Sequence, residues 1–209
     1  MADPLREAVR AVEAGRLVIF PTDTVYGLGA RPDDPVATTR VFAAKARPPS
    51  LELPVLVANA AQARGVGVLD ERAERLAAAW WPGPLTLVVP RATASRGWEL
   101  GGDPETVGLR VPHHPMALAL IAATGPMAVT SANRSGAPPA TTCEELAATF
   151  GDVVEVYLCQ DEPLRGAAST VVDLAHGPMG ILRQGAVDLA DIERRMAGEG
   201  PLLDSPLSP

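Results

Sequence analysis

Hydrophobic and polar positions alternate along this chain in short blocks, most of them closed by proline, glycine or aspartate. Asp3-Pro4 reads as a helix cap with proline in the first turn, and Leu5, Ala8, Val9 and Val12 then share one face up to a stop at Gly15. Residues 17–20 are an uninterrupted apolar run of buried-strand type, closed by Pro21. Asp34-Pro35 repeats the cap signal and opens a helix through Val36, Arg40, Val41 and Ala44. That helix must end before Pro48-Pro49, which leaves Lys45-Ala46-Arg47 at its exit. The alternation predicts strands at 54–57, 85–89, 107–111 and 127–130, and helices at 70–79 and 116–123. Thr142 caps a helix running to Phe150, with Glu145 at the capping-box position. Short strands follow at 153–158, 170–174 and 180–182, and a last helix at 189–196.

Strands and helices in this order predict an α/β fold, a single layered domain over residues 1–197 with a twisted sheet flanked by helices. The close spacing of the last strands predicts hairpins, so the sheet is expected to mix parallel and antiparallel pairs. Residues 198–209, rich in Pro, Ser and Leu, are expected to be a disordered tail.

Composition narrows the classes. The chain has 47% hydrophobic and 21% charged residues, ordinary for a soluble globular domain. No run reaches the ~18 apolar residues of a membrane span, and the N-terminus lacks a basic stretch leading into an apolar one. The expected location is therefore cytoplasmic, with no membrane contact. Cys143 and Cys159 show no pairing pattern and are read as thiols of a reduced cytosol. A net charge of −7 argues against a broad nucleic-acid surface and leaves room for a local basic pocket. Of the 18 cationic residues, 17 are arginine and Lys45 alone is lysine. Codon bias explains the arginines but not the surviving lysine, a compact point charge that an arginine fork does not replace.

Familiar nucleotide signatures are missing: there is no G-x-x-x-x-G-K-[ST] loop, and the glycines of 27–29 do not complete a dinucleotide fingerprint. No G-x-S-x-G elbow occurs. His113-His114 lacks metal-ligand spacing, and His176, between alanine and glycine, reads as a turn residue. What remains is a set of loops with small polar and cationic groups. Residues 21–29 follow a strand and carry Thr22, Thr24, Tyr26 and two glycines that allow close backbone approach. Lys45 and Arg47, two apart, point the same way if the segment is extended. Residues 81–86 form a proline-rich turn entering a strand. Arg110 lies inside an apolar strand, where it needs either a fixed carboxylate or a bound anion. Ser131 and Asn133 stand two apart at another strand end, and Ser169 and Arg183 belong to the last two segments.

These segments, in this order, resemble the YrdC-like family of threonylcarbamoyl-AMP synthases, over roughly nine-tenths of a chain of single-domain length. The resemblance implies an ATP-using nucleotidyltransferase that forms threonylcarbamoyl-adenylate and pyrophosphate from L-threonine, bicarbonate and ATP, for threonylcarbamoyladenosine modification of tRNA. It implies that Lys45, Arg47, Ser131 and Asn133 line a deep cavity, with Lys45 and Arg47 as catalytic cations. Arg110 and Ser169, with Thr22 and Thr24 in one wall, would hold the threonine carbamate; Thr106 and Arg183 would lie near the nucleotide. No protein-held metal is implied, and Mg²⁺ would arrive with ATP. The implied partners are downstream threonylcarbamoyl-transferase proteins, with weak tRNA binding. Two departures stand out: Glu52 where the family has proline, and Pro139 where many relatives have serine. A non-enzymatic RNA-binding module and a carbamoyl-adenylate-forming module of hydrogenase maturation are the competing readings.

Overall fold

The computed structural model describes residues 3–198; all but the first residue of the predicted tail lie outside them. Seven helices are described: α1 (Pro4–Glu13), α2 (Pro35–Lys45), α3 (Ala60–Val66), α4 (Glu71–Trp80), α5 (Pro115–Thr124), α6 (Cys143–Phe150) and α7 (Leu189–Met196). Nine strands accompany them: β1 (Val18–Phe20), β2 (Gly27–Ala30), β3 (Val55–Leu56), β4 (Leu85–Pro90), β5 (Thr106–Arg110), β6 (Met127–Ser131), β7 (Val156–Tyr157), β8 (Thr170–Asp173) and β9 (Gly180–Arg183). The strands form one sheet in the order β7-β1-β2-β6-β3-β5-β4-β8-β9. The pairs β1/β7, β3/β5 and β4/β8 are parallel and the other five antiparallel, so the sheet is mixed as expected. The predicted C-terminal hairpin is β8/β9.

Strand alternation divides the core in two. Val18, Phe20, Met127 and Val129 pack with residues of α1 and α5 on one face, whereas Leu17, Ile19 and Ala128 enter the larger core on the other. Successive residues of one strand thus feed opposite layers, the consequence of a period of two. The helix starts follow the cap signals: Asp3, Asp34, Asp70 and Asp188 each accept a backbone N–H of the first turn. Thr142 and Glu145 complete the capping box of α6.

Two elements differ from expectation. Helix α3, capped by Asn59, is too short and too alanine-rich to show a 3.6-residue apolar stripe. The 21–29 segment, expected as one ligand loop, is a loop only through Tyr26 and continues as strand β2 from Gly27. Both Gly27 and Gly29 are paired with β1 and β6, and a Cβ on Gly29 would meet Phe20 at 3.0 Å and Met127 at 3.1 Å. The close approach Gly29 permits is to core side chains, not to a ligand. The reading of two unpaired thiols is also corrected: Cys143 and Cys159 form a disulfide. The sequence gives no hint of it because the pairing depends on how α6 packs beside the segment after β7.

Candidate active site

A cleft enclosing about 180 Å³ opens beside the centre of the sheet, lined by the loop after β1, the exit of α2, the segment before β8 and residues of several strands. Larger hollows exist, one of about 520 Å³ around Phe42 and Trp98 and one of about 400 Å³ beside Arg134 and Glu145. Size does not mark the site; the convergence of charged and hydroxyl groups does. Of the residues singled out in the sequence, Thr22, Thr24, Arg47, Arg110, Ser131, Ser169 and Arg183 line this cleft.

The loop between β1 and β2 folds on its own hydroxyls. Thr22 Oγ1 donates to the Val25 carbonyl at 2.6 Å and lies 3.0 Å from Thr24 Oγ1. Arg110, the last residue of β5, is 6% exposed. Its Nε donates to the Gly83 carbonyl at 2.9 Å, Nη1 to Thr24 Oγ1 at 2.9 Å, and Nη2 to Asp23 Oδ1 at 2.6 Å. The sequence left a carboxylate and a bound anion as equal partners for this arginine; the structure supplies the carboxylate. Burial still pulls Arg110 below the ordinary guanidinium range, outweighing the upward pull of Asp23. The proline-rich turn at 81–86, whose Trp81–Pro82 bond is cis, contributes the Gly83 carbonyl and Thr86. Thr86 Oγ1 lies 2.9 Å from Ser169 Oγ across β4/β8. Arg183 donates from Nε and Nη2 to the Ser169 carbonyl at 3.0 and 2.9 Å, and from Nη2 to its hydroxyl at 3.0 Å.

Lys45 and Arg47 do not share a direction by strand alternation, because the segment is not extended. Lys45 ends α2, and Ala46 takes a left-handed conformation (φ 51°), alone in positive φ among the described non-glycine residues. The chain reverses there. Lys45, 2% exposed, reaches under the end of β6, where Nζ donates to the Ser131 carbonyl at 2.6 Å, the Asn133 carbonyl at 2.8 Å and Asn133 Oδ1 at 2.9 Å. An ammonium has three hydrogens, so this network occupies it. Burial and then the neighbouring Arg47 push its pKa down to about 8. Arg47 does reach the cleft, held from behind by the Leu51 carbonyl at 3.1 Å and the Glu52 carbonyl at 2.8 Å.

The remaining predicted residues stand apart. Asn133 lies outside the cleft lining, its Nδ2 fixing the following turn through the carbonyls of Arg134 and Ala137. Thr106 is buried at the start of β5, its carbonyl accepting from Arg91 Nε at 2.6 Å, and does not reach the lining. Sequence reasoning missed Asp23, and gave Tyr26 and Thr86, which line the cleft, no role of their own. Asp23 was legible in principle, as the carboxylate nearest in sequence to the two threonines opposite a charge that needed one.

Three guanidinium groups, Arg47, Arg110 and Arg183, therefore face one cleft; burial lowers the pKa of Arg47 and Arg110, and repulsion from Arg183 adds to it. Of these three, only Arg110 has a carboxylate partner among the described residues. Such a site is an anion receptor. The Sua5/YciO/YrdC family model, whose description reads "Telomere recombination", matches residues 10–185. The chain belongs to this family. A Mycobacterium leprae relative is 42% identical over 189 residues, 90% of this chain and 86% of that one. The threonylcarbamoyl-AMP synthase of Chromohalobacter salexigens is 37% identical over 180 residues, 84% of this chain and 95% of its own. The crystal structure of Pyrococcus abyssi Sua5 complexed with L-threonine superposes with a TM-score of 0.83 at 37% identity, covering 93% of this chain. This chain spans a little over half of the Pyrococcus protein, 58% of its length.

Proposed function

We propose that this protein is a threonylcarbamoyl-AMP synthase: it forms threonylcarbamoyl-adenylate and pyrophosphate from L-threonine, bicarbonate and ATP. The observation that carries the reading is the cleft itself, where two unpaired guanidinium groups stand beside a third that is paired and fixed. Arg47 and Arg183 suit the phosphates of ATP; Arg110, with the hydroxyls of Thr22, Thr24 and Ser169, suits the threonine carbamate. The threonine amine, once it has given its proton to solvent, bonds to the bicarbonate carbon with loss of water to form the carbamate. One carbamate oxygen then attacks the α-phosphorus, the bond from that phosphorus to the oxygen bridging to the β-phosphate breaks, and pyrophosphate leaves. Positioning and charge neutralisation do the catalysis, since the carbamate is already an anion and needs no general base. Lys45, in this reading, holds Ser131 and the 131–133 backbone in place and adds positive potential behind Arg47. Asn133 shares that task, and Thr106 supports Arg110 from the other end of β5.

Mg²⁺ is taken to arrive bound to ATP. The product would pass to threonylcarbamoyl-transferase proteins acting on tRNA, with any contact to tRNA itself weak, and the enzyme would work in the cytoplasm where these partners are. Pyrophosphate release, measured with each substrate omitted in turn, tests the reading. Release should require threonine, bicarbonate and ATP together; undiminished release without threonine would overturn it.

A further inference from the structure

Between the two threonines that line the cleft lies Asp23, which does not line it. Its side chain is 14% exposed, and its Oδ1 accepts from Arg110 Nη2 at 2.6 Å and from the His113 backbone N–H at 2.9 Å. Three acceptors thus hold Arg110, one on each nitrogen. A guanidinium has five N–H groups, so one hydrogen on Nη1 and one on Nη2 remain for a ligand. We propose that Asp23 is a positioning residue: it fixes the plane of Arg110 and cancels its charge, so that the two free N–H groups select the carboxylate of a small zwitterionic amino acid over a polyphosphate. This rests on the reading that the cleft binds threonine.

The charge argument separates the two ligands. A polyanion gains most from uncompensated cations, which Arg47 and Arg183 supply. At Arg110 it meets a neutral pair and gains little. A zwitterion carries no net charge to lose, and the directional bonds from a fixed fork count in full. The loop geometry supports this. Gly166 packs against the Thr24 carbonyl with no room for a Cβ, so a second segment presses on the loop that carries Asp23.

The test uses Asp23→Ala and Asp23→Asn with steady-state pyrophosphate release. Asp23→Ala should raise the threonine KM about tenfold or more, the loss of one charge-assisted hydrogen bond, with the ATP KM within about twofold. In an Arg110→Lys background the same substitution should add little, because it acts through Arg110. Asp23→Asn keeps an oxygen to accept both hydrogen bonds but frees the charge, so tripolyphosphate should begin to compete with threonine. An unchanged threonine KM in a folded Asp23→Ala protein would sink the proposal, as would threonine and ATP KM values rising together, which marks collapse of the loop. If Asp23→Ala does not fold, absence of tripolyphosphate competition in Asp23→Asn sinks it instead. Loss of threonine dependence in the unmodified protein would instead condemn the functional reading itself.

Discussion

The two ends of the cleft solve the problem of a cation near water differently. At the floor, Arg110 is buried, paired with Asp23 and bonded at every nitrogen. At the rim, Arg47 and Arg183 are held only by backbone carbonyls and one hydroxyl. A buried charge without a partner costs several kcal/mol, so the floor carries its own counter-charge. A half-exposed charge tolerates vacancy, so the rim keeps its counter-charge for the ligand. The difference separates a shape-reading end from a charge-reading end.

The largest effect expected is at the rim. Arg47→Ala should lower kcat/KM by about 10²–10³-fold, as removal of one preorganised charge from a developing anion does. The loss should be seen with ATP as the varied substrate, while melting shifts little because the guanidinium satisfies only two carbonyls of the 51–52 segment. A loss confined to threonine KM would break the division between the two ends.

The disulfide sharpens the same comparison through stability. Cys143 opens α6, just after the 133–142 segment that contributes Pro139 to the cleft; Cys159 begins the stretch that ends in Ala168 and Ser169. The bond ties two walls together across a separation of 16 residues. A loop of that length corresponds to about 3 kcal/mol of chain entropy. The double variant Cys143→Ser, Cys159→Ser should therefore melt roughly 6–12 °C lower, with the Arg110–Asp23 pair, which lies outside the clasp, left in place. A melting point that does not respond to a reducing agent in the unmodified protein would contradict it.

Much of this was legible in the sequence, and the limits are physical. Caps, apolar runs and proline stops are local, so α1, α2, α6 and the main strands follow from them. The need of Arg110 for a partner was also local, a charge inside an apolar strand. Which partner it took was not, since Asp23 lies 87 positions away and meets it only when β5 and the loop after β1 are assembled. Lys45 shows the reverse. Its rarity and its place at a helix exit are local, but the alternation argument failed because one left-handed residue, Ala46, turned the chain. The disulfide, like Asp23, depends on packing between distant segments.

The smallest effect expected concerns Glu52, the acidic residue of the 51–54 run. Its carbonyl holds Arg47, and its side chain turns away to accept the Gly108 N–H at 3.2 Å. Burial pushes its pKa up to about 7; the Gly108 bond, Arg91 and His176 oppose this, and Asp103 adds to it. Between the ordinary value of 4.5 and about 7 the folded state binds more protons than the unfolded one, so stability falls as pH rises through that window. Glu52→Gln keeps an acceptor for Gly108 and never ionises. It should match the unmodified protein near the acid end of the window and exceed it above pH 7, seen as a higher melting temperature that appears only on the alkaline side. Activity should not change, because Arg47 is held by the backbone of Glu52 and not by its carboxylate. A Glu52→Gln protein with equal stability at all pH but weakened ATP use would mean that the rim, too, carries a counter-charge, and the contrast with the floor would fail.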